Sequence, residues 1–330
     1  MIVRSRASDS TIAVAGTSRQ TVQVDTDFDS LLQPYPGWQT EWIHLGPAPA
    51  SHDGVRVSLP GSGTCTALNT SSAGILRGTT SADSVALLVS AADSANPRNC
   101  SQTIGGNRCL LLGPGANLDL YLPPGCRLTI VTMPASATGA SRGLAGADAV
   151  QYCELDASQG DVISRCMDSL DEIRNDPSSA DAQRNLRELL KSASALFRDA
   201  SPSSLAKRSR LQRHIAVIRA CEFVDSHLRA PIALVNLCEA AGVSTRALEY
   251  GFRDFYDLGP MAYVRNLRLC RVRHDLLDPT QAASVSSAAR RWSFTHMGQF
   301  SHDYRALFGE MPSKTLAAHQ RAAKATNPAS

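Results

Sequence analysis

Between Trp38 and Met133 the apolar residues of this chain come in short runs. Glu41–Leu45, Val55–Leu59, Ser84–Ser90, Arg108–Leu112, Asn117–Leu122 and Arg127–Met133 are separated by turn residues. The punctuation is Gly61-Ser62-Gly63, Gly105-Gly106-Asn107, Gly113-Pro114-Gly115 and Pro123-Pro124-Gly125. Many short strands between Gly/Pro turns predict a sandwich or barrel. Pro134–Ala147 is Gly/Ala/Ser-rich and reads as a linker. Beyond it the apolar spacing changes to that of helices. Val162, Met167, Leu170 and Ile173 line one helix. Leu186, Leu189, Leu190, Ala193, Leu196 and Phe197 stripe a second. That stripe has two possible partners, the β region or a second subunit, and a paired dimer seam is the expectation carried forward. Ser201–Arg210 is polar, basic and Pro-containing, and reads as a hinge.

The last third of the chain repeats itself at an offset of 52. Leu248, Phe252, Arg253, Phe255, Tyr256 and Pro260 fall over Phe300, Tyr304, Arg305, Leu307, Phe308 and Pro312. Leu248/Phe252/Phe255 and Phe300/Tyr304/Leu307 each follow i, i+4, i+7 spacing, so each marks one buried helix face. Upstream, Cys238 is followed by Gly242, Val243 and Ser244, and Ala289 by Ser293, Phe294 and Thr295. A small residue, a turn residue four positions on, an apolar residue and a Ser/Thr cap are the layout of a helix-turn-helix. One such pattern is a weak signal, whereas two in tandem with matching aromatic, Arg and Pro positions are a strong one. Pro260–Leu277 reads as one connecting helix. At 1.5 Å per residue it spans roughly 27 Å, enough with the helix widths to set two recognition helices into successive grooves about 34 Å apart.

Charge follows the same division. The whole chain is only +3, but residues 205–330 hold 18 Lys+Arg against 10 Asp+Glu and six of the eight histidines. A basic part on an acidic part is the footprint of a nucleic-acid-binding domain fused to something else. The linker arginines Arg265, Arg268, Arg271 and Arg273 are candidate phosphate contacts. Nine scattered cysteines without C-x-x-C spacing, and no apolar leader in residues 1–20, fit reduced, packing thiols in a cytoplasmic protein. No run of about 20 apolar residues suggests a membrane span.

Three segments also carry a family resemblance. They are Ile232-Ala-Leu-Val-Asn-Leu-Cys-Glu-Ala-Ala-Gly-Val-Ser-Thr-Arg-Ala-Leu248, Tyr263-Val-Arg-Asn-Leu-Arg-Leu269, and Phe294 with Phe300-Ser-His-Asp-Tyr304 and Leu307-Phe-Gly-Glu-Met-Pro-Ser313. The stretch from about Ile215 to Leu316 resembles the DNA-binding domain of the AraC/XylS regulators. The wording of Leu248-Glu-Tyr-Gly-Phe252 and of 296–308 is similar to the subgroup around the ethanolamine-operon regulator. The front half resembles the family's effector domains in general layout only. Asp257 and Ser293 stand where the family usually has Gly, and a non-Gly residue in a left-handed turn costs about 1–2 kcal/mol.

The expected fold is α+β: an N-terminal β-rich, cupin-like sandwich or barrel with dimerisation helices, then an all-α domain of two helix-turn-helix units joined by a linker helix. The expected divisions are 1–24 flexible, 25–150 regulatory, 151–200 dimerisation, 201–212 hinge, 213–318 DNA-binding and 319–330 flexible tail. Candidate DNA contacts on the first recognition helix are Thr245, Arg246, Glu249, Tyr250 and Arg253. On the second they are His296, Met297, Gln299, Ser301, His302 and Arg305, with Gly298 also on that face, and Arg268 joins them from the linker. Arg246 suits a guanine edge and Glu249 the cytosine amino group. The expected function is a regulator binding promoter DNA as a homodimer, working with RNA polymerase, an activator under control of a small-molecule effector. Control by a protein partner is the alternative. A metal-dependent cupin-like enzyme fused to a DNA-binding domain is the remote one, since His44, His52, Glu41 and Asp53 make a poor ligand set. No catalytic residue, metal or cofactor is expected.

Overall fold

The computed structural model describes residues 11–14, 20–25, 37–47, 53–59, 62–99, 102–138, 149–176, 179–199, 208–278 and 284–318. The 319–330 tail, most of the 134–147 linker and hinge residues 201–207 lie outside the described residues, as do Gly61 and His52. The chain divides into two units. One is Ala206–Ser330 with Met1–Arg4 and Ile43–Ala50, and the other is Ser51–Leu205 with Ser5–Trp42.

The first unit in chain order is β-rich. Its strands are β1 (Thr11–Val14), β2 (Gln20–Asp25), β3 (Gln39–His44), β4 (Asp53–Leu59), β5 (Gly63–Thr70), β6 (Gly74–Thr79) and β7 (Ser84–Ser90). They continue with β8 (Arg98–Asn99), β9 (Gln102–Thr103), β10 (Arg108–Leu112), β11 (Asn117–Leu122), β12 (Cys126–Pro134) and β13 (Val150–Glu154). One sheet has the order β1-β2-β4-β5-β12-β7-β10-β13 and the other β3-β6-β11-β8-β9. The described pairings are antiparallel, with short connections joining β1 to β2 and β4 to β5. β7 is buried along its whole length, which is why Ser84-Val-Ala-Leu-Leu-Val-Ser90 reads as a continuous apolar run rather than an alternating one.

The strands foreseen in the sequence are present within a residue or two. β5 was not foreseen, because five of its eight positions are Thr, Asn or Gly. Thr64, Thr66 and Thr70 are nonetheless buried, with Thr70 Oγ1 donating to the Pro123 carbonyl at 2.8 Å. β1 and β2 fall in the segment expected to be a loose start; they pair with each other, and β2 with β4.

Three helices belong to this unit: α1 (Ala135–Thr138), α2 (Ala157–Asn175) and α3 (Ala180–Asp199). Asp156 caps α2 with a reciprocal pair, its carboxylate accepting from the Gln159 N–H at 2.8 Å and the Gln159 side chain accepting from the Asp156 N–H at 2.9 Å. Of the two partners open to the α3 stripe, the β-rich unit covers it within the chain. Leu186, Leu189, Leu190, Ala193, Leu196 and Phe197 of α3 are buried in one cluster with Val162, Leu170 and Ile173 of α2 and the strand residues Val55, Leu68 and Ile130. Burying a Leu or Phe side chain stabilises by about 1.5–3 kcal/mol, and the stripe makes that contribution within its own unit. Two ion pairs at 2.6 Å fasten α2 to the sheet, Arg127 to Asp171 and Arg174 to Asp53.

The helical unit comprises α4 (Arg208–His227), α5 (Leu234–Ala241), α6 (Thr245–Tyr256), α7 (Pro260–Leu277), α8 (Val285–Arg291) and α9 (Met297–Phe308), with 312–318 also helical. α4 begins inside the stretch read as hinge. α7 starts with Pro at its first position, where the missing N–H costs nothing. The repeat appears as two aromatic clusters. Phe252, Tyr256 and Tyr263 have ring centroids 5.3–5.8 Å apart. In the second copy Phe294–Phe300, Phe300–Tyr304 and Tyr304–Phe308 lie at 5.0, 5.8 and 4.6 Å. Gly251 lets α6 approach α4, since a Cβ there would stand 2.9 Å from a Val217 methyl.

Candidate nucleic-acid interface

Each helix pair is joined by the same backbone device. In α5–α6, Gly242 has φ +67°, its N–H donates to the Glu239 carbonyl, and the Val243 N–H reaches back to Cys238. In α8–α9, Ser293 has φ +64°, its N–H donates to Arg290, and the Phe294 N–H reaches back to Ala289. These paired bonds are a Schellman ending, which satisfies carbonyls the helix leaves open. Both recognition helices also end in a left-handed residue, Asp257 (φ +59°) after α6 and Gly309 (φ +73°) after α9. Each unit thus has one Gly and one side-chain-bearing residue at its two strained positions, in opposite order.

The second turn is one residue longer. Ser244 caps α6, its side chain accepting from the Ala247 N–H at 3.3 Å. Thr295 does not play the matching part. α9 starts at Met297, with His296 as a cap whose side chain makes no capping bond. The extra residue moves the helix start past the threonine.

The recognition helices turn their apolar faces inward and leave a polar face outside. On α6, Leu248 and Phe252 are buried, Thr245, Arg246 and Arg253 are exposed, and Glu249 is half-buried. Tyr250 is 59% exposed despite its size. Glu249 lies 3.5 Å from Arg253, one turn on. On α9, Gln299, His302 and Arg305 are exposed, with Met297 and Ser301 half-buried. Gln299 donates to Asp303 at 2.8 Å. The side chains of Arg246 and Arg305 make no hydrogen bond or ion pair among the described residues. The two faces are not equivalent: Gly298, with open space above it, stands on α9 where α6 has Arg246.

Three of the linker arginines have partners within the protein. Arg268 turns inward. Its Nε donates to the Leu228 carbonyl at 3.0 Å and one Nη to Ala230 at 2.6 Å, and burial lowers its pKa from the ordinary value. Nε and one Nη are thus taken up by protein, and Arg268 braces the 228–230 turn from α7. Arg273 lies 3.3 Å from Glu310 and over the Phe308 ring, and Arg265 3.8 Å from Asp303.

The residues that fix one unit against the other escaped the sequence reading. Asp275, near the end of α7, is 5% exposed and accepts from Trp292 Nε1 at 2.8 Å and Arg291 at 3.0 Å. The Arg229 guanidinium lies over the Trp292 ring at 4.8 Å, and the Arg229 carbonyl accepts from the Ser293 hydroxyl. The turn 228–230 thus receives Arg268 from α7 and Ser293 from the second unit. The acid–Trp and Ser–carbonyl pairings join residues 17 and 64 positions apart and have no local pattern to announce them.

Two braced helix-turn-helix units, each presenting a polar recognition face, define a DNA-binding protein. Comparison with known proteins agrees. A helix-turn-helix domain model matches residues 237–318. The XylDLEGF operon transcriptional activator 2 of Pseudomonas putida is 33% identical over 119 residues, which are 36% of this chain and 76% of that protein. The probable thc operon regulatory protein of Rhodococcus erythropolis is 33% identical over 98 residues, 29% of this chain and 30% of that one. A solved structure of a probable AraC family transcriptional regulator from Rhodopseudomonas palustris CGA009 is 32% identical and aligns with 32% of this chain and 96% of its own, at a TM-score of 0.30. The chain belongs to the AraC/XylS family of DNA-binding transcriptional regulators. The match spans under a third of the length of the thc operon protein.

Proposed function

We propose that this protein is a cytoplasmic transcription activator that recognises promoter DNA with α6 and α9 in consecutive major grooves. The observation that supports it most is the pair of matched left-handed turns, which present two helix faces carrying unengaged arginines. In this reading Arg246, Glu249 and Tyr250 read bases on one side and His302 and Gln299 on the other. Thr245, Arg253, His296, Met297, Ser301 and Arg305 position the duplex, because most protein–DNA hydrogen bonds go to the backbone. Activation would bring RNA polymerase to the neighbouring promoter. A homodimer would use a surface other than the α3 stripe.

We further propose that the β-rich unit receives a small molecule. A cleft of about 600 Å³ beside α2, lined by Asn69, Thr70, Arg127 and Arg174 among others, supports this reading; its size is that of ordinary ligand sites. A bound effector would shift the population between two presentations of the DNA-binding unit. The test is competition binding of the full chain to fragments of its own promoter region against random duplex. Preference for one fragment is expected, and equal binding to all, even at low salt, overturns the reading. Metabolite screening by thermal shift addresses the effector separately.

A further inference from the structure

Two cysteines face each other across the edge of the large sheet. In the β10–β13 ladder Cys109 is the direct partner of Cys153. The Leu155 N–H donates to Asn107 at 2.6 Å and the Gly113 N–H to Ala149 at 2.7 Å. Counting by twos between these bonds makes Cys109/Cys153 a hydrogen-bonded pair, whose Cα atoms lie about 5.5 Å apart. That is inside the range a disulfide spans. Direct partners also point to the same face of the sheet. Cys109 is fully buried, whereas Cys153 is half-buried on β13, the end strand in the sheet order.

We propose that Cys109 and Cys153 form a reversible redox cross-link that pins β13 to β10. The electronics of the pair favour Cys153 as the attacking thiol. The Cys109 thiol, hydrogen-bonded to Cys153, is raised by that bond and by burial, while the bond from Cys109 lowers Cys153. The oxidant is a small disulfide of the glutathione type. The Cys153 thiolate attacks one of its sulfurs, forming a mixed disulfide and releasing one glutathione thiolate. The Cys109 sulfur then attacks Sγ of Cys153 and breaks the bond to the second glutathione, which departs carrying the Cys109 proton. The two protein thiols lose two electrons and two protons, and one glutathione disulfide becomes two thiols. Cβ atoms of direct strand partners lie about 4.5–5.5 Å apart, against about 3.8 Å in a disulfide. The strands must draw together, and a bond so strained is readily reduced. β13 leads directly into α2, so the cross-link acts on the strand that anchors this helix.

The experiment treats the full chain with oxidised glutathione under native conditions, alkylates the remaining thiols and maps peptides by mass spectrometry. The chain has nine thiols. A loss of two is expected, confined to one linked pair of peptides containing Cys109 and Cys153 and reversed by dithiothreitol. Cys109→Ser should leave a glutathione adduct standing on Cys153. Alkylation of both cysteines after oxidation, a stable adduct on Cys153 in the natural sequence, or a link from either to Cys166 overturns the proposal.

Discussion

The hydroxyl of Ser293 donates to the backbone carbonyl of Arg229, from the left-handed turn of the second helix-turn-helix to the turn after α4. A glycine there would relieve the backbone but could not make this bond. The left-handed conformation costs about 1–2 kcal/mol without Gly, and a typical hydrogen bond returns about 0.5–1.5 kcal/mol. The serine therefore nearly offsets its own strain while tying the two units together.

Ser293→Ala keeps the strain and loses the bond, so it should destabilise the protein by about 1 kcal/mol. Ser293→Gly should lie within about 0.5 kcal/mol of the natural sequence, because the relief and the loss oppose each other. Denaturant midpoints of the two variants check the order. An alanine variant with the natural midpoint would show that the hydroxyl bond contributes nothing, and equal midpoints for the alanine and glycine variants would show that the turn stores no strain.

Arg268→Ala removes two donors to Leu228 and Ala230. A loss of about 1–2 kcal/mol in stability is expected, since the part-buried carbonyl of Leu228 loses a charged partner while water can replace the exposed bond to Ala230. The slope of DNA affinity against salt should not change. A residue on a phosphate would instead reduce that slope by about 1, so a titration across salt concentrations separates the two roles.

Asp275→Ala leaves the Trp292 N–H and the Arg291 guanidinium without their acceptor. About 2–3 kcal/mol of destabilisation should follow. Binding to a two-half-site operator should fall further than binding to the α6 half-site alone, measured on split operators, because the brace holds the second unit.

Tyr304 supplies a pH test. Its hydroxyl is buried and donates to Thr315 Oγ1 at 3.0 Å, and burial pushes its pKa from the ordinary 10 up to about 12. The fold therefore favours the neutral phenol. Its contribution is fully present below pH 10 and is lost as pH rises from 10 to 12. Tyr304→Phe should flatten the stability–pH curve in that window, and an unchanged slope would remove Tyr304 as its source.

The helical unit was largely legible in the chain. Its helices bury residues at i, i+4, i+7, and the turn positions Gly242 and Ser293 carry the same bonds in both copies, so periodicity and turn chemistry sufficed. Thr295 is misplaced because the upstream pattern pairs Ser244 with it at an offset of 51, whereas the helices repeat at 52, which pairs Ser244 with His296; the extra turn residue is the difference. The bracing bonds of Arg268 were hidden because its acceptors are carbonyls of a turn some forty positions away in the chain. In the β-rich unit, β5 hid behind buried threonines, and the α3 stripe left its partner open because an apolar face specifies burial but not against what. The recognition-face residues were chosen from the same periodicity, and their individual contacts to bases rest on the experiments below and above.

Arg246→Ala should cost about 1–3 kcal/mol on the preferred operator and relax the choice of base at one position. Equal weakening on every duplex would assign Arg246 to the backbone instead.

Hydroxyl-radical footprinting of the full chain on its preferred promoter fragment measures the arrangement itself. Two protected blocks on one face of the duplex, centred about 10.5 base pairs apart, are the expected result, with Arg246→Ala weakening one block more than the other. A single block, or protection with no fixed spacing, would contradict the placement of α6 and α9 in successive grooves.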